Sequence, residues 1–108
     1  MTDLEINAAI AAHVGWKSRT VIVHHSVGYQ WDESLTVWTN PAGHDDVLPS
    51  YTTDLNAMHE AEKVFDTALY CRYINELCDL TINANNSMYM ATARQRAEAF
   101  LKTIEKWN

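Results

Sequence analysis

The stretch from Leu48 to Phe65, LPSYTTDLNAMHEAEKVF, constrains the fold more than any other part of the chain. Pro49 disfavours helix at the residue before it, and Thr53 and Asp54 are residue types that commonly cap a helix N-terminus. No glycine or proline interrupts the residues that follow. The pattern therefore predicts a helix that begins at Asp54 and ends near Phe65, preceded by a region with strands and followed by more helix.

The composition is that of one globular domain spanning residues 1–108. The chain has 47% hydrophobic and 20% charged residues, which a disordered protein would not show. Its formal net charge of −6 argues against nucleic-acid binding, because phosphate contacts require a basic surface, and also against binding to anionic lipid. No apolar run approaches the ~18 residues of a membrane helix, and the N-terminus does not resemble a signal peptide.

The N-terminal part is predicted to begin with a helix from Thr2 to His13, which Gly15 stops. Thr2 and Glu5 fit the capping box, in which a threonine hydroxyl and a glutamate side chain each satisfy a backbone N–H group at the helix start. Helical spacing predicts an apolar side formed by Leu4, Ile6, Ala9, Ile10 and His13 or Val14.

Two short strands are predicted before the second helix. A β-branched run favours a strand from Arg19 to His25, and alternation favours another from Leu35 to Thr39. Gly28 ends or bulges the first strand, and residues 29–31 fit either a strand or a loop. The number and order of strands between residues 18 and 50 stay open at this point.

Two further helices are predicted after Phe65. Asp66 either caps a third helix that ends at Leu80 or lies inside one long bent helix; the sequence fits both. The last helix runs from Ala93 to Trp107, because Thr92 and Gln95 form a second capping box. Its core face is predicted to comprise Ala97, Phe100, Leu101 and Ile104.

A turn is predicted at residues 83–87, which are rich in asparagine, and a short strand is predicted at residues 88–90. The elements together predict an α+β fold, in which a small antiparallel β-sheet packs between or against about four α-helices.

Three segments resemble the phage ABA sandwich domain family of small bacteriophage and prophage proteins. They are LPSYTTDLNAMHEAEKVF, ATARQRAEAFLKTIEKW and the opening MTDLEINAAIAAHVGW, and together they cover about half of the chain. The resemblance implies a sheet layered between helices, a viral origin and a place in the host-cell cytoplasm. The resemblance implies no particular activity, and it identifies no catalytic residues in this chain.

One group of side chains is a candidate metal site. His59 and Glu62 are three residues apart and share a helix face, and the loop before that helix contributes His44 and Asp45. Such ligands suit zinc or iron, and a metal-dependent hydrolase is one hypothesis. The chain has neither an HExxH nor a Cys-x-x-Cys motif. We therefore prefer the alternative that His59 makes a structural hydrogen bond while Glu60 and Glu62 face water.

The remaining polar candidates are weaker. His24 and His25 are neighbours on a predicted strand, so they point to opposite sides and only one can join a site. Cys71 and Cys78 are seven residues apart, ~10 Å along a helix, which is too far for a disulfide. We interpret both cysteines as reduced packing residues of a cytosolic protein. Arg94 and Arg96 are interpreted as members of surface ion pairs.

The aromatic residues are the strongest candidates for binding. Four tryptophans in 108 residues are more than a small core needs, although core and edge packing explains aromatics in most small proteins. Tyr29 and Trp31 would share one face of an extended segment and are suited to filling a partner's pocket or stacking a ring. The full candidate set is Trp16, Tyr29, Trp31, Trp38, Tyr51 and His59.

The sequence therefore favours a non-catalytic phage protein that binds a host or phage protein, such as a host-defence component, without a metal or cofactor. An alternative is a protein that sequesters a small nucleotide-like ligand between aromatic rings at a dimer interface. The third hypothesis is the hydrolase built around His59. A homodimer or higher homo-oligomer is compatible with each of them.

Overall fold

The computed structural model describes residues 1–83 and 90–108. Within these ranges the chain forms four α-helices and one two-stranded antiparallel sheet, which confirms the α+β class. The elements in chain order are α1 (Asp3–His13), β1 (Lys17–Val27), β2 (Tyr29–Thr39), α2 (Leu55–Glu62), α3 (Thr67–Asn83) and α4 (Ala93–Thr103).

Both predicted capping boxes are present. At the start of α1, the Thr2 hydroxyl accepts a hydrogen bond from the Glu5 N–H at 3.2 Å, and the Glu5 carboxylate accepts from the Thr2 N–H at 3.3 Å. At the start of α4, the Thr92 hydroxyl accepts from the Gln95 N–H at 3.1 Å, and the reciprocal bond measures 2.9 Å. Each box satisfies backbone donors that have no partner inside the helix.

Helices α2 and α3 are separate. Asp54 caps α2, which ends at Glu62, three residues before the predicted end. The Asp66 carboxylate then accepts a hydrogen bond from the Leu69 N–H at 2.8 Å at the start of α3. This side-chain acceptor takes the place of the helical carbonyl that a continuous helix would supply, so the chain turns between the two helices.

The helices pack on one another around α4, which lies against α1, α2 and α3. The predicted core face of α4 is confirmed for Ala97, Phe100 and Leu101, which are fully buried, whereas Ile104 is half-buried at the helix end. The largest fully buried hydrophobic side chains of the core are Ile6, Ile10, Met58, Tyr73, Leu77, Phe100 and Leu101.

The buried face of α1 is rotated from the predicted stripe. Leu4 is 81% exposed, whereas Asn7 and Ala11 are buried beside Ile6 and Ile10. The Asn7 side-chain oxygen accepts a hydrogen bond from the Thr52 N–H at 3.2 Å. A polar residue thus occupies a core position because it binds the backbone of the segment before α2, which sequence periodicity does not reveal.

Strands β1 and β2 form one long hairpin. Each has 11 residues, and the pairing runs without interruption from Lys17–Thr39 to Val27–Tyr29. Gly28 forms the turn with φ of +78°, a conformation that glycine adopts without steric cost. The two predicted strands are therefore parts of longer ones, and residues 29–31 belong to β2.

The hairpin projects from the helices, and we call residues 17–39 the arm. Every residue of its strands is exposed or half-buried. Strands of this length span about 36 Å, which accounts for overall dimensions of 58 × 27 × 22 Å. The remaining described residues form the body. The predicted turn at 83–87 and strand at 88–90 lie, apart from Asn83 and Met90, outside the described residues.

Candidate functional site

The arm has two chemically different faces. Residues directly opposite each other on antiparallel strands share a face, and successive residues alternate between faces. One face, which we call the apolar face, carries Val21, Val23, Val27, Tyr29, Trp31, Leu35 and Val37, together with Lys17, Arg19, His25, Glu33 and Thr39. The other, the polar face, carries Ser18, Thr20, Ile22, His24, Ser26, Gln30, Asp32, Ser34, Thr36 and Trp38.

The rings near the tip of the arm are ordered on the apolar face. Trp31 stacks on His25 with ring centroids 4.5 Å apart and planes 10° apart, and Tyr29 lies 5.2 Å from Trp31. Glu33 also holds the His25 ring in place, since the His25 Nε2 lies 3.2 Å from a carboxylate oxygen of Glu33. The prediction that Tyr29 and Trp31 share one face is confirmed, and Tyr29 is 74% exposed.

The two neighbouring histidines lie on opposite faces, as predicted. His24 is on the polar face, where its Nδ1 lies 2.6 Å from the Asp32 carboxylate, while His25 is on the apolar face. Each imidazole is thus paired with an acidic side chain of β2. These cross-strand pairs hold the two strands together along the half of the arm that is remote from the body.

The base of the arm is fixed to the loop that follows it. Arg19 donates to the Asp45 carboxylate at 2.6 Å, and the Thr39 hydroxyl donates to the same carboxylate at 3.1 Å. Trp38 is half-buried here, beside a cleft of about 580 Å³ that is also lined by Val47 and Leu48. Asp45, a candidate metal ligand in the sequence, therefore serves to hold the arm at its base.

Trp16 and Tyr51 meet at a second cavity, between helix α2 and the segments that precede and follow the arm. It has a volume of about 350 Å³, and its walls are mostly apolar. Tyr51 is buried, which raises the pKa of its phenol although the Trp16 side chain acts in the opposite direction. The lining residues are Val14, Trp16, Pro41, Pro49, Tyr51, Ala57, Glu60 and Ala61.

His59 lies apart from the aromatic candidates, on the exposed side of α2. Its Nδ1 is 3.5 Å from the Glu62 carboxylate, one helix turn away. The expectation that Glu62 faces water is wrong, because this residue is only 8% exposed. Its carboxylate accepts hydrogen bonds from the Tyr73 hydroxyl at 2.5 Å and from the Arg96 guanidinium at 3.0 Å.

This buried group joins α2, α3 and α4 through charge-assisted hydrogen bonds. Burial, and then the hydrogen bond to Glu62 and the charge of that carboxylate, raises the pKa of Tyr73 far above its ordinary value. The interpretation of Arg96 as a surface residue is therefore wrong. Arg94 does form an exposed ion pair, with Asp3 of α1.

Of the hypothesised metal ligands, His59 and Glu62 lie side by side, whereas Asp45 is bonded to Arg19 at the base of the arm. In residues 1–83 and 90–108, no group of three or more His, Cys, Asp and Glu side chains has an arrangement that could hold a metal ion.

Cys71 is exposed on α3, so its interpretation as a packing residue is wrong, whereas Cys78 is half-buried. Within the described part of the chain, no helix has both the length and the apolarity needed to cross a membrane.

The structure thus distributes the six predicted binding residues over four places. Tyr29 and Trp31 lie on the arm, Trp38 at its base, Trp16 and Tyr51 at the cavity, and His59 on α2. The predicted binding residues did not include the aliphatic part of the apolar face, chiefly Val21, Val23, Leu35 and Val37. The alternation of apolar residues on both sides of Gly28 was the signal that would have predicted it.

Comparisons with known protein families, with curated proteins and with solved structures found no match. The resemblance to the phage ABA sandwich domain family stays a prediction.

Proposed function

We propose that this chain is a non-catalytic protein-binding module that recognises its partner through the apolar face of the arm. The observation that carries the proposal is the exposure of this face: Val27 is 79% and Leu35 43% exposed, and Tyr29 and Trp31 are exposed beside them. Aromatic side chains with neighbouring aliphatic ones are typical of the centres of protein interfaces.

The physical state of the arm supports the same proposal. A two-stranded hairpin alone in water is marginally stable, because it needs a third strand or a packed layer to bury its apolar side. The body supplies no such layer along the strands, since none of their residues is buried. A partner that covers the apolar face would remove it from water and stabilise the arm, at ~25 cal/mol for each Å² of apolar surface buried.

The charge of the arm favours a protein partner over a nucleic acid. Lys17 and Arg19 are balanced by Asp32 and Glu33, so the arm lacks the excess of positive charge with which phosphate-binding surfaces are built. The sequence resemblance favours a phage or host protein as the partner, with a host-defence component as one such target. This part of the proposal depends on the viral origin that the resemblance implies.

Two substitutions on opposite faces of the arm test the proposal. Leu35→Lys places a charge on the apolar face. Ile22→Lys places the same charge on the polar face, where it replaces an aliphatic side chain that is more exposed than that of Leu35. Tagged wild-type and variant proteins are used to capture partners from cell extract. A captured protein is then purified and titrated against all three by calorimetry.

We expect the wild type and Ile22→Lys to bind the purified partner alike, and Leu35→Lys to bind at least ~10-fold more weakly, as for loss of a central interface contact. Equal affinity of Leu35→Lys would contradict the proposal, and so would the absence of any captured protein that depends on Leu35. Circular dichroism of both variants establishes that the arm and the helices are retained.

A second candidate function is favoured by the cavity between Trp16 and Tyr51. Its volume of about 350 Å³ lies within the range of small-ligand sites. Glu60 lines the wall and the chain is acidic overall, so an uncharged or cationic aromatic molecule suits this cavity better than a nucleotide. Native mass spectrometry of the purified protein tests this, since a ligand retained by the wild type should be lost from Trp16→Ala.

A further inference from the structure

We propose that a cavity between the C-terminal part of α1 and the residues that follow α4 binds a small organic acid, a molecule with an apolar body and one carboxylate. The cavity has a volume of about 290 Å³, and we call it the basic cavity. It belongs to the body, so the proposal goes beyond the recognition of a partner by the arm. The lining residues are Ala9, Ala12, His13, Ile104 and Lys106.

The walls of the basic cavity are mostly apolar and leave room for a ligand. Ala9 and Ala12 are three residues apart on α1 and share a helix face, where their methyl groups leave space that a larger side chain would fill. Ile104, the C-cap residue of α4, supplies a third apolar wall. The volume is close to the lower limit of ~300 Å³ for small-molecule sites, so the ligand must be a small one.

The ionisable residues that line the basic cavity are both basic, namely His13 and Lys106. Each of the two cavities described above has acidic residues in its lining instead, Glu60 in one and Asp45 and Asp46 in the other. The whole chain has a net charge of −6, which disfavours anions over most of its surface. The basic cavity is thus the place among these three where an anion is favoured.

The protein does not itself neutralise these two basic groups. Within residues 1–83 and 90–108, neither His13 nor Lys106 forms an ion pair. Lys102, one helix turn before Lys106, is in contrast paired with Glu98 at 3.3 Å. The Lys106 ammonium group and a ring N–H of His13 are therefore available to donate charge-assisted hydrogen bonds to a ligand carboxylate.

The backbone after α4 brings Lys106 to the basic cavity. Glu105 has a φ of +61° and is the only non-glycine residue with a positive φ in the described part of the chain. The Lys106 N–H then donates back to the Leu101 carbonyl at 2.8 Å, as in the Schellman motif, in which glycine is the usual residue at the position of Glu105. The Glu105 carboxylate accepts a hydrogen bond from Arg72 at 3.2 Å, so this acidic neighbour of Lys106 already has a cationic partner.

The second donor is held by the core. His13 is the last residue of α1, and its ring lies 5.8 Å from the Phe100 ring at an interplanar angle of 83° and 6.5 Å from the Phe65 ring. These contacts restrict the rotation of the imidazole. A donor that is already oriented loses less conformational freedom when a ligand binds, which favours binding.

An NMR titration with 4-phenylbutyrate tests the proposal, and 4-phenylbutanamide is the matched neutral probe with the same apolar body. In the ¹⁵N-labelled wild type, we expect the carboxylate to shift the amide signals of Ala9, Ala12, Ile104 and Lys106 with a dissociation constant below about 1 mM. The neutral amide should bind at least ~3-fold more weakly, because it lacks the charge that Lys106 pairs with. No shift of these signals at millimolar carboxylate would overturn the proposal, and so would equal affinity for the two probes.

Three variants locate the site. Ala12→Leu fills the cavity from an exposed helix position that tolerates leucine, and it should abolish the shifts. Lys106→Gln should weaken binding of 4-phenylbutyrate at least ~3-fold. Lys63→Gln is the matched control, because it removes the same charge from a residue that does not line the basic cavity, and it should bind like the wild type.

Two results with the variants would contradict the proposal. Wild-type affinity in Ala12→Leu would show that the acid binds elsewhere on the chain. Equal weakening in Lys106→Gln and Lys63→Gln would show that only the overall charge of the protein matters. Circular dichroism of the three variants establishes that their helices are retained.

Discussion

The Tyr73 hydroxyl donates a hydrogen bond of 2.5 Å to the Glu62 carboxylate in a site where both residues are buried. The same carboxylate binds Arg96 of α4 at 3.0 Å. Glu62 belongs to α2 and Tyr73 to α3, so a single acidic side chain joins three helices. A buried carboxylate is tolerated only when such donors replace the water that it loses.

Removal of the Tyr73 hydroxyl is therefore expected to destabilise the fold. Tyr73→Phe takes one donor from the buried carboxylate and should lower the free energy of unfolding by about 1–3 kcal/mol. Tyr70→Phe is the matched control, because Tyr70 lies on the same helix and is exposed, and its effect should stay within about 0.5 kcal/mol. Urea denaturation measures both. Equal stability of the two variants would show that the bond to Glu62 contributes nothing.

The raised pKa of Tyr73 predicts a loss of stability at alkaline pH. Above about pH 10 the unfolded chain releases the phenol proton while the folded chain retains it. The folded state then binds more protons, and the free energy of unfolding falls as pH rises, by up to ~1.4 kcal/mol per pH unit for one such group. Tyr51 contributes in the same direction, since burial raises its pKa too.

Denaturation curves between pH 8 and pH 11 measure this slope. Tyr73→Phe should flatten it, because the variant has no phenol at that position, whereas Tyr70→Phe should leave it unchanged. A slope that is the same in all three proteins would mean that Tyr73 does not titrate differently in the folded and unfolded states.

The core position of Phe100 gives a further test of the packing around α4. Phe100→Ala should cost about 3–5 kcal/mol, as for a fully buried aromatic side chain. Leu4→Ala is its control, because Leu4 is exposed despite belonging to the apolar stripe that the sequence predicts for α1. Thermal unfolding should show a large fall in Tm for the first variant and almost none for the second. A large effect at Leu4 would indicate that this side chain is covered in solution.

His59 distinguishes the binding and hydrolase hypotheses. Its imidazole is exposed, although it lies 3.5 Å from the buried Glu62 carboxylate, so His59→Ala should change the free energy of unfolding by less than about 1 kcal/mol, as for truncation of an exposed side chain. A chelator should not change the Tm of the wild type. If chelator lowers the Tm, added zinc restores it and His59→Ala abolishes the response, then His59 binds a metal.

The sequence by itself determined the local structure, as the helix starts show. Thr2, Asp54 and Thr92 cap helices because the groups that they bind lie two or three residues further along the chain. Alternation likewise determined that Tyr29 and Trp31 share a face, since this follows from the period of an extended chain. Such features depend on neighbours in the chain, which the sequence contains explicitly.

Only the tertiary structure decided which faces are covered. Glu62 is buried because Tyr73 and Arg96, 11 and 34 residues away, supply donors to its carboxylate. Asn7 is buried because Thr52, 45 residues away, needs an acceptor. The apolar face of the arm, in contrast, is exposed because the helices bury their apolar sides on α4. Burial depends on residues that are distant in the chain, and the periodicity of one segment does not specify what packs against it.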